Sequence, residues 1–180
     1  MPLETGALAC QIERLRLPLL DPPPRLQLEI EKLALQLKAE IEKIAEGGGD
    51  SWAQRVPRAR LEWAEAMLGL ARRGVRGQSQ PFELQGLRVG PLALLGMEGE
   101  IFVRYQLDLE PESPLQPALL CGYANGCLGY VPTAEEYPRG GYEVDEAYKV
   151  YPSVQMIGAS SEGLIRAAAA KILAGLASAR

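Results

Sequence analysis

The chain contains no histidine. That absence removes the commonest general base and the commonest metal ligand, so no serine–histidine or cysteine–histidine pair can form within it. A zinc site of the usual cysteine and histidine type is likewise excluded within one chain. Cysteine is scarce: Cys10, Cys121 and Cys127 form no CxxC pair, and an odd count argues against a disulfide framework. Cys121 stands in an apolar run and reads as a small buried hydrophobe. No apolar stretch approaches the length of a membrane span. There is no G-x-S-x-G elbow and no Walker loop, because Gly47-Gly48-Gly49 lacks the lysine and hydroxyl of a phosphate cradle. Gly140-Gly141 is too short for a nucleotide fingerprint. No excess of one charge sign exists either: the net charge is -4 with both signs interspersed, so a nucleic-acid partner is not expected. The first ten residues lack the basic end and apolar stretch of a signal peptide, which places a complete chain in the cytoplasm and leaves a fragment unplaced.

The sequence does hold enough for a buried core. Its 180 residues are 47% apolar and 23% charged, which is globular and fits one domain or a large fragment of one. Residues 12–19 alternate, with Leu15, Leu17 and Leu19 between Arg14 and Arg16, which predicts a strand with one wet face. Asp21-Pro22-Pro23-Pro24 breaks the chain. A helix over 25–46 follows, with Leu26, Ile30, Leu33, Leu37, Ile41 and Ile44 on one stripe, and the triple glycine ends it. Asp50 or Ser51 can cap a second helix that runs to Arg73. The short link between them predicts an antiparallel helical hairpin over 25–73.

After Gly77 the texture changes to alternating strands and helices. Phe82 and Leu84 alternate in one phase and Leu87 and Val89 in the other, which predicts a bulge at Gly86. Leu92–Met97 reads as a central strand buried on both faces, and 118–124 as a second buried strand beside it. A helix is expected over 100–109, and Thr133-x-x-Glu136 reads as a capping box. Ser160 or Ser161 should cap a last helix with Ile165, Ala168, Ile172 and Leu176 inward. The fold class is therefore α/β: a layered mixed sheet flanked by helices, in 81–180, carrying the N-terminal antiparallel hairpin.

Two places could hold chemistry. Residues 121–151 contain Tyr123, Tyr130, Tyr137, Tyr142, Tyr148 and Tyr151, and long aromatic loops often serve function. Tyrosine is also an amphipathic packer, so loop anchoring is the plainer reading. Glu100 follows a buried strand and a glycine turn. A helix start favours a carboxylate there in any case, whereas the carboxyl end of a sheet is where open α/β folds hold ligands. Glu135 and Glu136 read as helix-start charges.

The segments GPLALLGMEGEIFVRY (90–105) and CGYANGCLGYVPTAEEYPRGGYEV (121–144) resemble the neutral ceramidase family, especially its bacterial ceramidase-like members. The later YKVYPSVQMIGASSEGLI is similar to that family's closing strand and helix. The resemblance is specific over 87–165 and permissive elsewhere. It implies a zinc-dependent amidase fold in which two upstream histidines, a glutamate and a tyrosine hold the metal. By motif, Glu100 matches the glutamate and Tyr137 the tyrosine. A further catalytic tyrosine matches Tyr148 or Tyr151, and the spacing does not choose between them. Two departures stand out: Glu98-Gly99 replaces the usual proline before the glycine–glutamate pair, and Cys127 replaces a common aromatic.

The resemblance thus implies the carboxy-terminal part of a ceramidase-like hydrolase. Zinc would belong to the complete enzyme, with none expected on this chain alone. The implied partners are the amino-terminal part of the same hydrolase and an amide lipid. A fragment of this kind exposes apolar surface, which favours homo-oligomers. The competing reading is a non-catalytic α/β binding or structural module.

Overall fold

A computed structural model describes residues 6–21, 26–151 and 155–179. The Pro22-Pro23-Pro24 break lies outside them, as does residue Arg25. The chain divides into two compact units. One comprises the N-terminal strand, Ser79–Gly140 and Ile157 onward, and the other comprises Leu19–Gln78 with Gly141–Met156.

The first unit is built on a four-stranded mixed sheet in the order β1-β2-β3-β5. Here β1 is Leu8–Pro18, β2 is Ser79–Val89, β3 is Leu92–Met97 and β5 is Ala118–Cys121. The first three pair antiparallel and β3 pairs with β5 in parallel. The mixed sheet with a parallel pair at 92–97 and 118–121 agrees with the sequence pattern. One face is covered by the final helix α4, Ser161–Ser178, whose buried Ile165, Ala168, Ala169, Ile172, Leu173 and Leu176 form the stripe that its spacing predicts. Leu17, Phe82, Leu84, Ala93, Leu95 and Met97 are buried on the sheet side of this layer. The helix α3, Val103–Glu112, connects β3 to the parallel β5, as a crossover must.

Several expectations are corrected. No bulge occurs at Gly86, because β2 stays in continuous register with both neighbours. The phase change comes instead from amphipathic residues on both faces of one strand. Phe82, Leu84 and Gly86 face inward, while Leu87 and Val89 are exposed. Gly86 is required for a different reason: a Cβ there would collide with Ile172 and Leu176 of α4. β3 is central but alternates between buried and half-buried, so one face is buried rather than two. β5 is an edge strand with Leu119 45% exposed, and Cys121 is exposed rather than buried. The capping hydroxyls are also absent. Neither Thr133 nor Ser160 makes a side-chain cap bond, and the Thr133 and Ser161 hydroxyls are buried without a hydrogen-bond partner.

The second unit contains the helical hairpin: α1, Gln27–Glu46, and α2, Arg55–Arg72. Ile30, Ala34, Trp63, Ala64, Met67 and Leu68 form its core. Lys38 pairs with Glu65 at 2.9 Å across the hairpin. Gly48 adopts a left-handed φ of 75° at the helix stop. Asp50 accepts from the Ala53 N–H at 2.9 Å, so it caps the turn that precedes α2 rather than α2 itself. Residues 142–150 are helical turns rather than irregular loop: a π-helical turn over Tyr142–Glu146, then a 3-10 turn over Ala147–Val150. Among the described residues no helix is long and apolar enough to cross a membrane.

Candidate functional site

The carboxyl ends of the parallel strands β3 and β5 are the places where an α/β sheet presents ligand-binding loops. After Met97 the chain turns through Gly99, held at φ 110°. A Cβ there would fall 2.5 Å from the Gly129 carbonyl oxygen, so only glycine lets the two segments close. The Glu100 N–H then donates to that same Gly129 oxygen at 2.8 Å. Glu100–Ile101 forms a short strand, β4, paired in parallel with β6, Tyr130–Val131. Glu100 therefore sits on a strand opposite Tyr130 and not at the helix start its sequence suggests; α3 begins three residues later, at Val103. The Phe102 and Tyr130 rings meet edge to face at 6.3 Å.

The loop after β5 is tied to the same turn. The Tyr123 N–H donates to the Gly99 carbonyl at 2.8 Å, and the Ala124 N–H to Met97 at 3.0 Å. The Asn125 amide donates to Gln85 at 3.0 Å. Tyr123 and Asn125 take left-handed φ values of 56° and 65°, the only non-glycine residues to do so among those described. Asparagine tolerates that region, but a tyrosine there costs on the order of 1–2 kcal/mol. The Glu100 carboxylate, first among its neighbours, holds the Tyr123 phenol's pKa up at about 12.

Tyr137 has a different setting in the same unit. Its hydroxyl donates to the Ile157 carbonyl at 2.6 Å, and burial, followed by the nearby Glu162 carboxylate, pushes its pKa upward. The segment before it is held from α4: Glu162 accepts from the Ala134 N–H at 2.5 Å and from Arg166 at 2.6 Å. Arg166 also reaches Asp108 of α3 at 2.8 Å and lies 5.0 Å from the ring centre of fully buried Tyr105. The Tyr105 hydroxyl donates to the Pro132 carbonyl at 3.3 Å. Glu135 and Glu136 are paired with Arg139 at the surface.

Tyr148 and Tyr151 belong to the hairpin unit. Tyr148 packs edge-on against Trp63 at 5.7 Å, and burial, then Glu146 and Asp145, raise its pKa to about 12. Its backbone carbonyl accepts from the Tyr151 N–H at 3.3 Å. A groove of about 520 Å³ also runs along the hairpin, with Ala34, Leu35 and Leu68 beside Glu31, Lys38, Glu65 and Arg72 and none of the candidate residues in it.

As metal donors these residues are incomplete. Tyr137 keeps its proton on a main-chain carbonyl, and its raised pKa opposes the phenolate that a metal would take. Among the described residues no three or more cysteine, aspartate or glutamate side chains gather to hold an ion. The residues present do not by themselves fit a four-coordinate zinc.

Sequence reasoning missed Glu162, and it named Tyr123 without foreseeing its backbone. The Asn125-Gly126 pair marks the turn, but nothing in the sequence says that the tyrosine two residues earlier is also left-handed. Glu162 reads as a helix-start charge, and its bond to Ala134 spans 28 residues.

No protein-family model and no curated protein matches the chain. Two similar solved structures are both ceramidases. The neutral ceramidase from Pseudomonas aeruginosa is 23% identical with a TM-score of 0.41, over 56% of this chain and 15% of that one. A ceramidase complexed with C2 is 24% identical with a TM-score of 0.40, over 55% and 15%. The likeness is distant, and the match spans about one seventh of each ceramidase.

Proposed function

We propose that the chain is a ceramidase-like hydrolase segment that contributes a carboxylate, Glu100, and a phenol, Tyr137, to a metal site completed by histidines from outside it. The supporting observation is the weave at the strand ends. The two segments that carry the motif resemblance, 90–105 and 121–144, are joined by the β4–β6 pairing, and Glu100 stands at that junction. In this reading zinc supplies Lewis acidity to amide cleavage in the complete enzyme. The chain's own part is to hold Glu100 at the carboxyl edge of the sheet and Tyr137 on the 132–137 segment. Tyr148 or Tyr151 would supply the further catalytic tyrosine. The proposed partners are the amino-terminal part of the hydrolase and an N-acyl amide lipid. The test is amide hydrolysis by the complete protein. Glu100→Gln and Tyr137→Phe should each lower kcat/KM at least about a hundredfold, the scale of a lost catalytic group, while the fold persists.

The second reading, a non-catalytic module, is favoured by one observation: the Tyr137 hydroxyl is already engaged with the Ile157 carbonyl. In that case both substitutions would leave hydrolysis unchanged, and Tyr137→Phe would act on stability alone.

A further inference from the structure

The helical hairpin carries an apolar stripe that its own fold leaves uncovered. Leu28 and Leu35 stand two turns apart on α1, so they share a stripe, and they are 68% and 70% exposed. The inward stripe of the same helix is separate, with Ile30, Ala34 and Leu37 buried. Leu35 borders the groove of about 520 Å³ between the two helices, where Ala34 and Leu68 are buried beneath it. A projecting leucine and an apolar hollow therefore lie side by side on one face. An interface between identical copies needs both on the same face.

The charges around the groove indicate which occupant fits. On α1, Glu31 precedes Leu35 and Lys38 follows it; on α2, Glu65 precedes Leu68 and Arg72 follows it. The Lys38–Glu65 ion pair, at 2.9 Å, sets those two side chains at one height. The helices run antiparallel, so Leu35 is then level with Leu68, and Glu31 with Arg72. A two-fold axis crossing both helices at the height of the leucines lays each helix antiparallel on its own copy. It sets each Glu31 on the partner's Lys38 and each Glu65 on the partner's Arg72, with no like charges opposed.

We propose that this face of the hairpin binds the same face of a second copy of the chain, as a four-helix contact centred on Leu35 and Leu68. Helices about 27–30 Å long and about 8–10 Å apart offer roughly 500 Å² per copy, the low end of specific interfaces. The dimer is accordingly weak, and salt weakens it further by screening the charges. None of Glu100, Tyr137, Tyr148 and Tyr151 lines the groove, so the inference is independent of the hydrolase reading.

Sedimentation velocity of the wild-type chain at low salt, from micromolar to submillimolar concentration, should show the mass rising from one chain to two. Glu31→Lys sets a cation against the partner's Lys38, and Lys38→Glu sets an anion against the partner's Glu31. Each should raise the dissociation constant at least about tenfold. An equimolar mixture of the two variants should recover the dimer, because the substitutions restore opposite charges across the contact. Leu35→Glu changes a side chain that the fold leaves exposed, so it keeps the test available if Lys38→Glu disturbs the hairpin; it should be monomeric throughout. A wild type that stays monomeric overturns the proposal, as does a dimer that Leu35→Glu leaves intact. Charge variants that dimerise like the wild type, or a mixture of folded variants that stays monomeric, overturn the two-fold arrangement.

Discussion

Tyr137 and Tyr123 lie in the same unit, yet their surroundings are opposite. Tyr137 is half-buried on unstrained backbone, with a main-chain carbonyl as its acceptor and a charged lattice from α3 and α4 behind its segment. Tyr123 is exposed on strained backbone, and among the described residues no main-chain carbonyl holds its hydroxyl. The first arrangement resembles what stability alone would select. The second opposes stability locally, and strain of that kind persists where something other than folding requires it. The contrast separates a residue tied into the fold from one whose backbone folding alone does not explain.

The largest effect is expected on the buried side of the comparison. Glu162→Ala leaves the Ala134 N–H without its acceptor and takes one of two carboxylates from Arg166. The cost should be about 2 kcal/mol, as for a charge-assisted bond whose partners remain partly buried. Thermal unfolding should show Tm lower by roughly 4–8 °C at this chain length. An unchanged Tm would mean the lattice does not hold the segment. A smaller effect separates the hairpin unit from both tyrosines. The Tyr148 phenol is raised to about 12, above the unfolded value near 10, so the fold favours its neutral form. That contribution is complete below about pH 10 and is lost as pH rises through 12. Denaturant midpoints should fall over this window in the wild type and fall less steeply in Tyr148→Phe.

The sequence was most legible where one period dominated. The stripe of α4, the two hairpin helices and the neighbouring of 92–97 and 118–121 in one sheet follow from spacing and from turn residues. It misled where two local rules compete. The phase change around Gly86 looks like a bulge, but it is equally what a strand with an apolar patch on each face would write. Thr133 and Ser161 have the side chains of caps, yet both hydroxyls are buried without partners, and Glu162 supplies the bond to Ala134 instead. Glu100 was placed at a helix start because a two-residue strand carries no periodicity at all; only its pairing with Tyr130 defines it. Of the candidate residues, sequence named Glu100 and Tyr137 through a motif. It named Tyr123 only as one of six loop tyrosines, because a left-handed backbone angle at a tyrosine leaves no mark in the sequence.

Matched substitutions sharpen the comparison further. Tyr137→Phe removes a hydroxyl from a buried carbonyl and should cost about 1 kcal/mol. Tyr123→Gly should cost almost nothing. Relief of left-handed strain, about 1–2 kcal/mol, offsets glycine's extra unfolded-state entropy of about 0.5–1 kcal/mol. Equilibrium unfolding in urea checks both. If Tyr123→Gly destabilised the chain as much as Tyr137→Phe, the exposed ring would be a packing element and the contrast would fail.

The smallest expected signal is zinc itself. Direct ligation by Glu100 and Tyr137 would require the phenol to leave the Ile157 carbonyl and lose its proton, against burial and the Glu162 charge, which both raise its pKa. Two oxygen donors under those conditions fall short of the four that a protein zinc site ordinarily uses. Elemental analysis of the dialysed chain should therefore find well below one zinc per molecule, and added zinc should leave Tm unchanged, because a ligand stabilises a fold only in proportion to its occupancy. Stoichiometric zinc lost in Glu100→Gln would show that a second copy, or donors outside the described residues, completes the site. The half-buried phenol and the half-buried carboxylate would then be one centre rather than two separately held halves.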